Sequence, residues 1–92
     1  MTESDGRFCH CEGIVAQDAH GQTVLLRLAD GFYYTLDAVA AEVWKLCDGQ
    51  RAVEDIVRAV CEEFDAPPDV VREDVRAFLN ELLEERLLDR VA

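Results

Sequence analysis

A chain of 92 residues with 20 Asp and Glu against 9 Lys and Arg, a formal net charge of −11, has room for one modest core and none for a deep substrate cavity with its own lid. Its acidity repels phosphate backbones and anionic lipid headgroups, so nucleic-acid and membrane partners are not expected and neutral or basic ones are favoured. No apolar run approaches the roughly 20 residues of a membrane span, and "MTESDGRFCHCEG" at the start lacks a basic stretch followed by an apolar one, so a soluble cytoplasmic protein with reduced cysteines is expected.

Residues 1–12 are polar and read as a flexible N-terminal segment, with the folded domain over 13–92. "GIVAQ" is the first predicted strand, "DAHGQ" a turn and "TVLLRL" a second strand, together a hairpin. Val24, Leu26 and Leu28 alternate with Leu25, Arg27 and Ala29, so one face is fully apolar and the other only partly so. A turn at "ADG" leads to "FYYTL", a third short strand that completes a meander.

Asp37 caps a first predicted helix in which Ala40, Val43, Trp44 and Cys47 recur at helical spacing, and Gly49 suits its left-handed stop. The second helix runs from about Val53 to Phe64 with an apolar stripe of Val53, Ile56, Val57, Val60, Cys61 and Phe64. Pro67 and Pro68 fit the first turn of a third helix, which reaches about Glu85 and buries Val71, Val75, Phe78, Leu79, Leu82 and Leu83. "RLLDRV" leaves it as a short final strand. The predicted class is α+β, a three-stranded antiparallel sheet followed by three helices in a winged helix-turn-helix-like order.

Catalytic patterns are missing: there is no phosphate-binding glycine loop, no HExxH, no G-x-S-x-G and no Cys-x-x-Cys. Neither an enzyme nor a cofactor site is therefore expected. "CHC" at 9–11 offers soft metal ligands, yet neighbours on an extended segment point to opposite faces, so His10 diverges from Cys9 and Cys11 and a closed site needs two further donors, for which His20 is the sole nearby candidate. A small Cys/His metal-binding protein is thus an alternative, with no metal as the expectation. An acidic winged-helix regulator is another, opposed by the six acids and three arginines of residues 67–86, the wrong sign for a recognition helix.

A binding module remains. Tyr33 and Tyr34 point to opposite faces of the third strand. If that strand is an edge, its free N–H and C=O groups accept an extended peptide as a fourth strand, beside an apolar groove lined by Val71, Val75, Phe78 or Leu82. The same edge allows a dimer through paired strands as well as a monomer.

The segments "LLRLADGFYYTLDAVAAEVWKLCDGQRAVEDIV" and "CEEFDAPPDVVREDVRAFLNELLEERLL", over residues 24–88, resemble the coenzyme PQQ synthesis protein D (PqqD) family. The resemblance rests on Leu36-Asp37, Trp44, Asp48-Gly49, Ile56, Phe64, Asp74-Val75, Phe78-Leu79 and Leu87-Leu88 in that order. It implies a recognition element for the leader segment of a ribosomally made precursor peptide, which adds as a strand to the third strand and lies in the cleft beside the third helix. By position, strand contacts would come from Gly31, Phe32, Tyr33, Tyr34 and Thr35, and groove contacts from Asp74, Val75, Phe78 and Leu82. The implied partner is a maturation enzyme, a radical S-adenosylmethionine enzyme or a leader peptidase.

Overall fold

The computed structural model describes residues 6–91. Along the chain lie β1 (Phe8–His10), β2 (Ile14–Ala19), β3 (Gln22–Arg27), β4 (Tyr33–Leu36), α1 (Ala38–Leu46), α2 (Val53–Phe64), α3 (Pro68–Glu84) and β5 (Leu88–Arg90). The sheet β2-β3-β4 is an antiparallel meander with β4 at one edge. Its first hairpin turns through His20 (φ 54°) and Gly21 (φ 79°), a pair of left-handed residues whose twist matches the flanking strands.

Asp37 accepts the Ala40 N–H at 2.8 Å and starts α1. Asp55 reaches back to the Ala52 N–H at 3.1 Å at the start of α2, which is half of a capping box, since Ala52 has no side-chain oxygen to complete it. Pro67 and Pro68 open α3 without losing a helical hydrogen bond, because the first N–H groups have no intrahelical acceptor. Val43, Trp44, Val53, Ile56, Val57, Val60, Val71, Val75, Leu79 and Leu82 interlock as the helical core, and Leu25 and Leu36 close it from the sheet.

One feature departs from the sequence reading. The segment 1–12 is not a lead-in throughout: β1 pairs antiparallel with β5, Phe8 opposite Arg90 and His10 opposite Leu88, and Phe8 is only 3% exposed. A lone three-residue run has no periodicity to betray it, and its partner lies 80 residues along the chain. Residues 1–5 of that segment lie outside the described residues. The final strand is present, but it pairs with β1 in a separate two-stranded ribbon rather than joining the meander.

The two faces of β3, which the sequence reading left unassigned, are told apart by packing. Alternation alone would turn the fully apolar set inward. Instead Leu25 is fully buried, while Leu26 and Leu28 are exposed. The inner set also contains Arg27, which is accommodated because its guanidinium lies 4.8 Å over the Phe32 ring, bonds Asp30 at 3.0 Å and donates to the Glu85 carbonyl at the end of α3. A positive group on that terminal carbonyl satisfies an orphan acceptor and the helix dipole together, and it ties the β3–β4 turn to α3.

Candidate peptide-binding cleft

The strand β4 is short because a turn with Gly31 at φ 75° precedes it and the Asp37 cap follows it. The Arg27 N–H donates to the Phe32 carbonyl at 2.8 Å, and Leu25 and Thr23 oppose Tyr34 and Leu36. Alternation along an antiparallel strand then directs the main-chain groups of Phe32, Tyr34 and Leu36 toward β3 and those of Tyr33 and Thr35 toward the free edge. The edge thus presents two residues' worth of unpaired donors and acceptors, spaced for an extended chain.

Side chains follow the other alternation. Tyr33 is 68% exposed, on the face of the sheet away from the helices. Tyr34 turns inward, half-buried against the core, with its phenol toward the Glu81 carboxylate of α3. Burial first, then the neighbouring Glu81 carboxylate and the charge of Glu85, push the phenol up to about 12.

Beyond it a groove of about 470 Å³ opens between the first turn of α1, the end of α2 and the exposed side of α3. Val43, Val60, Val71 and Val75 form its floor, with Phe64 and Phe78 on the walls. Val39 and Val70, 39% and 55% exposed, stand at its mouth. Asp37, Asp74 and Glu81 complete the rim, so an apolar slot is bordered by carboxylates. Such a slot suits apolar side chains from an extended segment with a basic residue nearby.

Of the groove residues expected from sequence, Asp74, Val75 and Phe78 line it. Leu82 does not: it is fully buried and supports α3 from behind. Of the strand residues, Tyr33 and Thr35 offer the open main chain, Tyr34 packs inward against the core, and Gly31 and Phe32 shape the preceding turn. Sequence reasoning missed Val39, Phe64, Ala66, Val70 and Ala77 as groove residues. Val39 and Val70 carried a signal, being β-branched residues in first helical turns and off the core stripe.

The "CHC" segment has a structural role. The His10 ring stacks on Trp44 with centroids 3.6 Å apart and planes within 3°. Its Nε2 lies 2.7 Å from the Trp44 carbonyl, which can only accept, so Nε2 carries the proton. Among the described residues no three His, Cys, Asp or Glu side chains gather closely enough to hold a metal ion. All four cysteines are free, and Cys47 is buried. No described helix is long and apolar enough to cross a membrane.

Comparison with known proteins places this geometry. The family profile for coenzyme PQQ synthesis protein D (PqqD) matches residues 22–88. The chain is 39% identical over 71 residues to a PqqA binding protein of Rhizobium meliloti (strain 1021), covering 77% of this chain and 70% of that one. Among solved structures it superposes on TbiB1 in complex with the TbiA(beta) leader peptide with a TM-score of 0.79 and 33% identity, over 91% of this chain and 98% of the other. It also superposes on the PqqD truncation of Methylobacterium extorquens PqqCD, described as a functional and stand-alone recognition element for ribosomally synthesised and post-translationally modified peptides, with a TM-score of 0.75, 28% identity, and coverage of 90% and 88%. The chain belongs to the PqqD family.

Proposed function

We propose that this PqqD-family chain is a non-catalytic recognition element that binds the leader segment of a ribosomally made precursor peptide and presents the rest of that peptide to a modifying enzyme. The observation that carries the reading is the adjacency of the free β4 edge to an apolar groove on α3. Neither feature suffices alone, because main-chain pairing is blind to sequence and a groove without a pairing edge gives no register. The leader adds antiparallel or parallel to β4 through the main chain of Tyr33 and Thr35, with Gly31, Phe32 and Tyr34 holding that edge in place. Its alternate side chains enter the slot over Val75 and Phe78, while Asp74 and Glu81 select for a basic residue beside them.

The PqqA-binding relative and the leader complex of TbiB1 support this reading. The partner is a radical S-adenosylmethionine enzyme or a leader peptidase, and four free thiols suit work in the reducing cytoplasm. Calorimetric titration with a synthetic leader from a short precursor encoded beside the gene tests the proposal. One-to-one binding is expected, lost when proline replaces residues in the paired half of the peptide. A folded chain that binds no such leader, or binds the proline-substituted peptide equally well, overturns it.

A further inference from the structure

The outer face of the sheet is apolar and unpartnered. Val15, Leu26 and Tyr33 stand in register across β2, β3 and β4, with Gln17, Val24 and Thr35 in the adjacent row. Leu28 extends the first set beyond β3, 62% exposed. Those two rows contain no charged residue, in a chain with a net charge of −11. An antiparallel sheet with one solvated face ordinarily makes that face polar, so the inversion found in β3 needs an occupant.

We propose that this face docks the modifying enzyme, through an enzyme surface with an apolar centre and a basic rim; the inference rests on the leader-binding reading above. Three strands about 4.8 Å apart, paired over some six residues of about 3.3 Å each, give a face of roughly 300 Å². A stable complex covers about 800 Å² on each partner. The footprint therefore spreads beyond the face, and in a chain with a net charge of −11, whose sole cation between residues 12 and 36, Arg27, is engaged by Asp30, the partner surface that meets it is favoured to be basic.

A second copy of the chain fits less well. Two such faces bury only about 600 Å² in total, the scale of a lattice contact, and the pairing brings two like-charged acidic molecules together. Position favours the enzyme too. The Tyr33 side chain stands on this face, and its main chain lies on the edge that takes the leader. A bound leader strand becomes the next strand of the same sheet, so an enzyme seated on the face lies directly beside the peptide it modifies. The leader groove is on the opposite side of the sheet and stays free.

The test uses the intact chain, the leader peptide and the modifying enzyme encoded beside the gene, each titrated separately. Leu26→Glu/Leu28→Glu should weaken enzyme binding at least tenfold and leave leader affinity within twofold, and raised salt should weaken the wild-type enzyme complex. Unchanged enzyme affinity in the folded variant overturns the docking face. A wild-type dimer that the variant dissolves overturns it in favour of self-association. If circular dichroism shows the double variant unfolded, Leu28→Glu and Val15→Lys, each at an exposed position, replace it and the same outcomes decide. Failure of the wild-type chain to bind leader sinks the functional reading alone, and the enzyme titration still judges the face.

Discussion

The two ends of α1 differ in what covers them. At the C-terminal end, β1 lies over the helix: His10 stacks on Trp44, Phe8 fills the space beneath, and the Gly49 N–H donates to the Phe8 carbonyl at 2.7 Å. At the N-terminal end no described element lies across the first turn, and Val39 and Ala40 open into the groove. One amphipathic helix thus has a sealed end and an end left for a ligand. Stability and binding are separable as a result, because the groups that close one end are remote from those that line the other.

Truncating the sealed end should have the largest effect. Phe8→Ala removes a nearly fully buried ring from between β5 and the core, and is expected to cost about 3–5 kcal/mol of unfolding free energy. Chemical denaturation measures this, and leader affinity in the folded fraction should be unchanged. A loss of affinity matching the loss of stability would show that the two ends are coupled.

At the open end, Phe78→Asp places a carboxylate on the groove wall and discards apolar contact worth about 2–3 kcal/mol, a fall in leader affinity of roughly 30-fold to 150-fold. Its unfolding midpoint should move far less than that of Phe8→Ala, because Phe78 is only half-buried. Equal losses of stability from both variants would contradict the separation.

Thr35→Pro tests the edge itself. The Thr35 N–H faces away from β3, so proline deletes one outward donor and keeps the β3–β4 ladder, as edge positions allow. Loss of one net hydrogen bond of about 1 kcal/mol corresponds to roughly fivefold weaker leader binding. Affinity equal to wild type would place the leader elsewhere than the β4 edge.

The smallest effect concerns the Tyr34 phenol, half-buried and facing Glu81. The folded state holds the Tyr34 proton more tightly than the unfolded chain, with the phenol raised from 10.0 to about 12. The stability it contributes is therefore complete below pH 10 and is lost as pH rises toward 12. Melting temperatures of wild type and Tyr34→Phe across that window should converge with rising pH. Parallel curves would mean that Tyr34 titrates alike in both states. The buried Cys47 thiol, also raised to about 12, contributes the same trend in both proteins and cancels from the difference.

Much of this arrangement was legible in the sequence because it is local. The Asp37 cap, the Pro-Pro start of α3, the stripe on α2 and the positions of Trp44 and Ile56 in the core each follow from spacing within one element. The same reading put Val71, Val75 and Phe78 beside the groove, and the family resemblance alone added Asp74. It failed at Leu82, because the third helix has core on two adjoining sides, and a stripe read from periodicity does not tell the side facing α2 from the side facing the cleft.

The amino-acid order by itself determined the three strands of the meander, the three helices, the starts of α1 and α3 and the alternation of Tyr33 and Tyr34, since each depends on backbone geometry within a few residues; the end of α1 it placed too late, because the helix stops at Leu46 with Cys47 as its cap rather than at Gly49. Tertiary structure decided which face of β3 is buried, that Phe8–His10 is a strand, and where the groove opens. Those outcomes depend on contacts between residues far apart in the chain, Arg27 with Glu85 and Phe8 with Arg90 among them. No local period encodes such pairings, and their free energy appears only once the helices and the sheet have packed together.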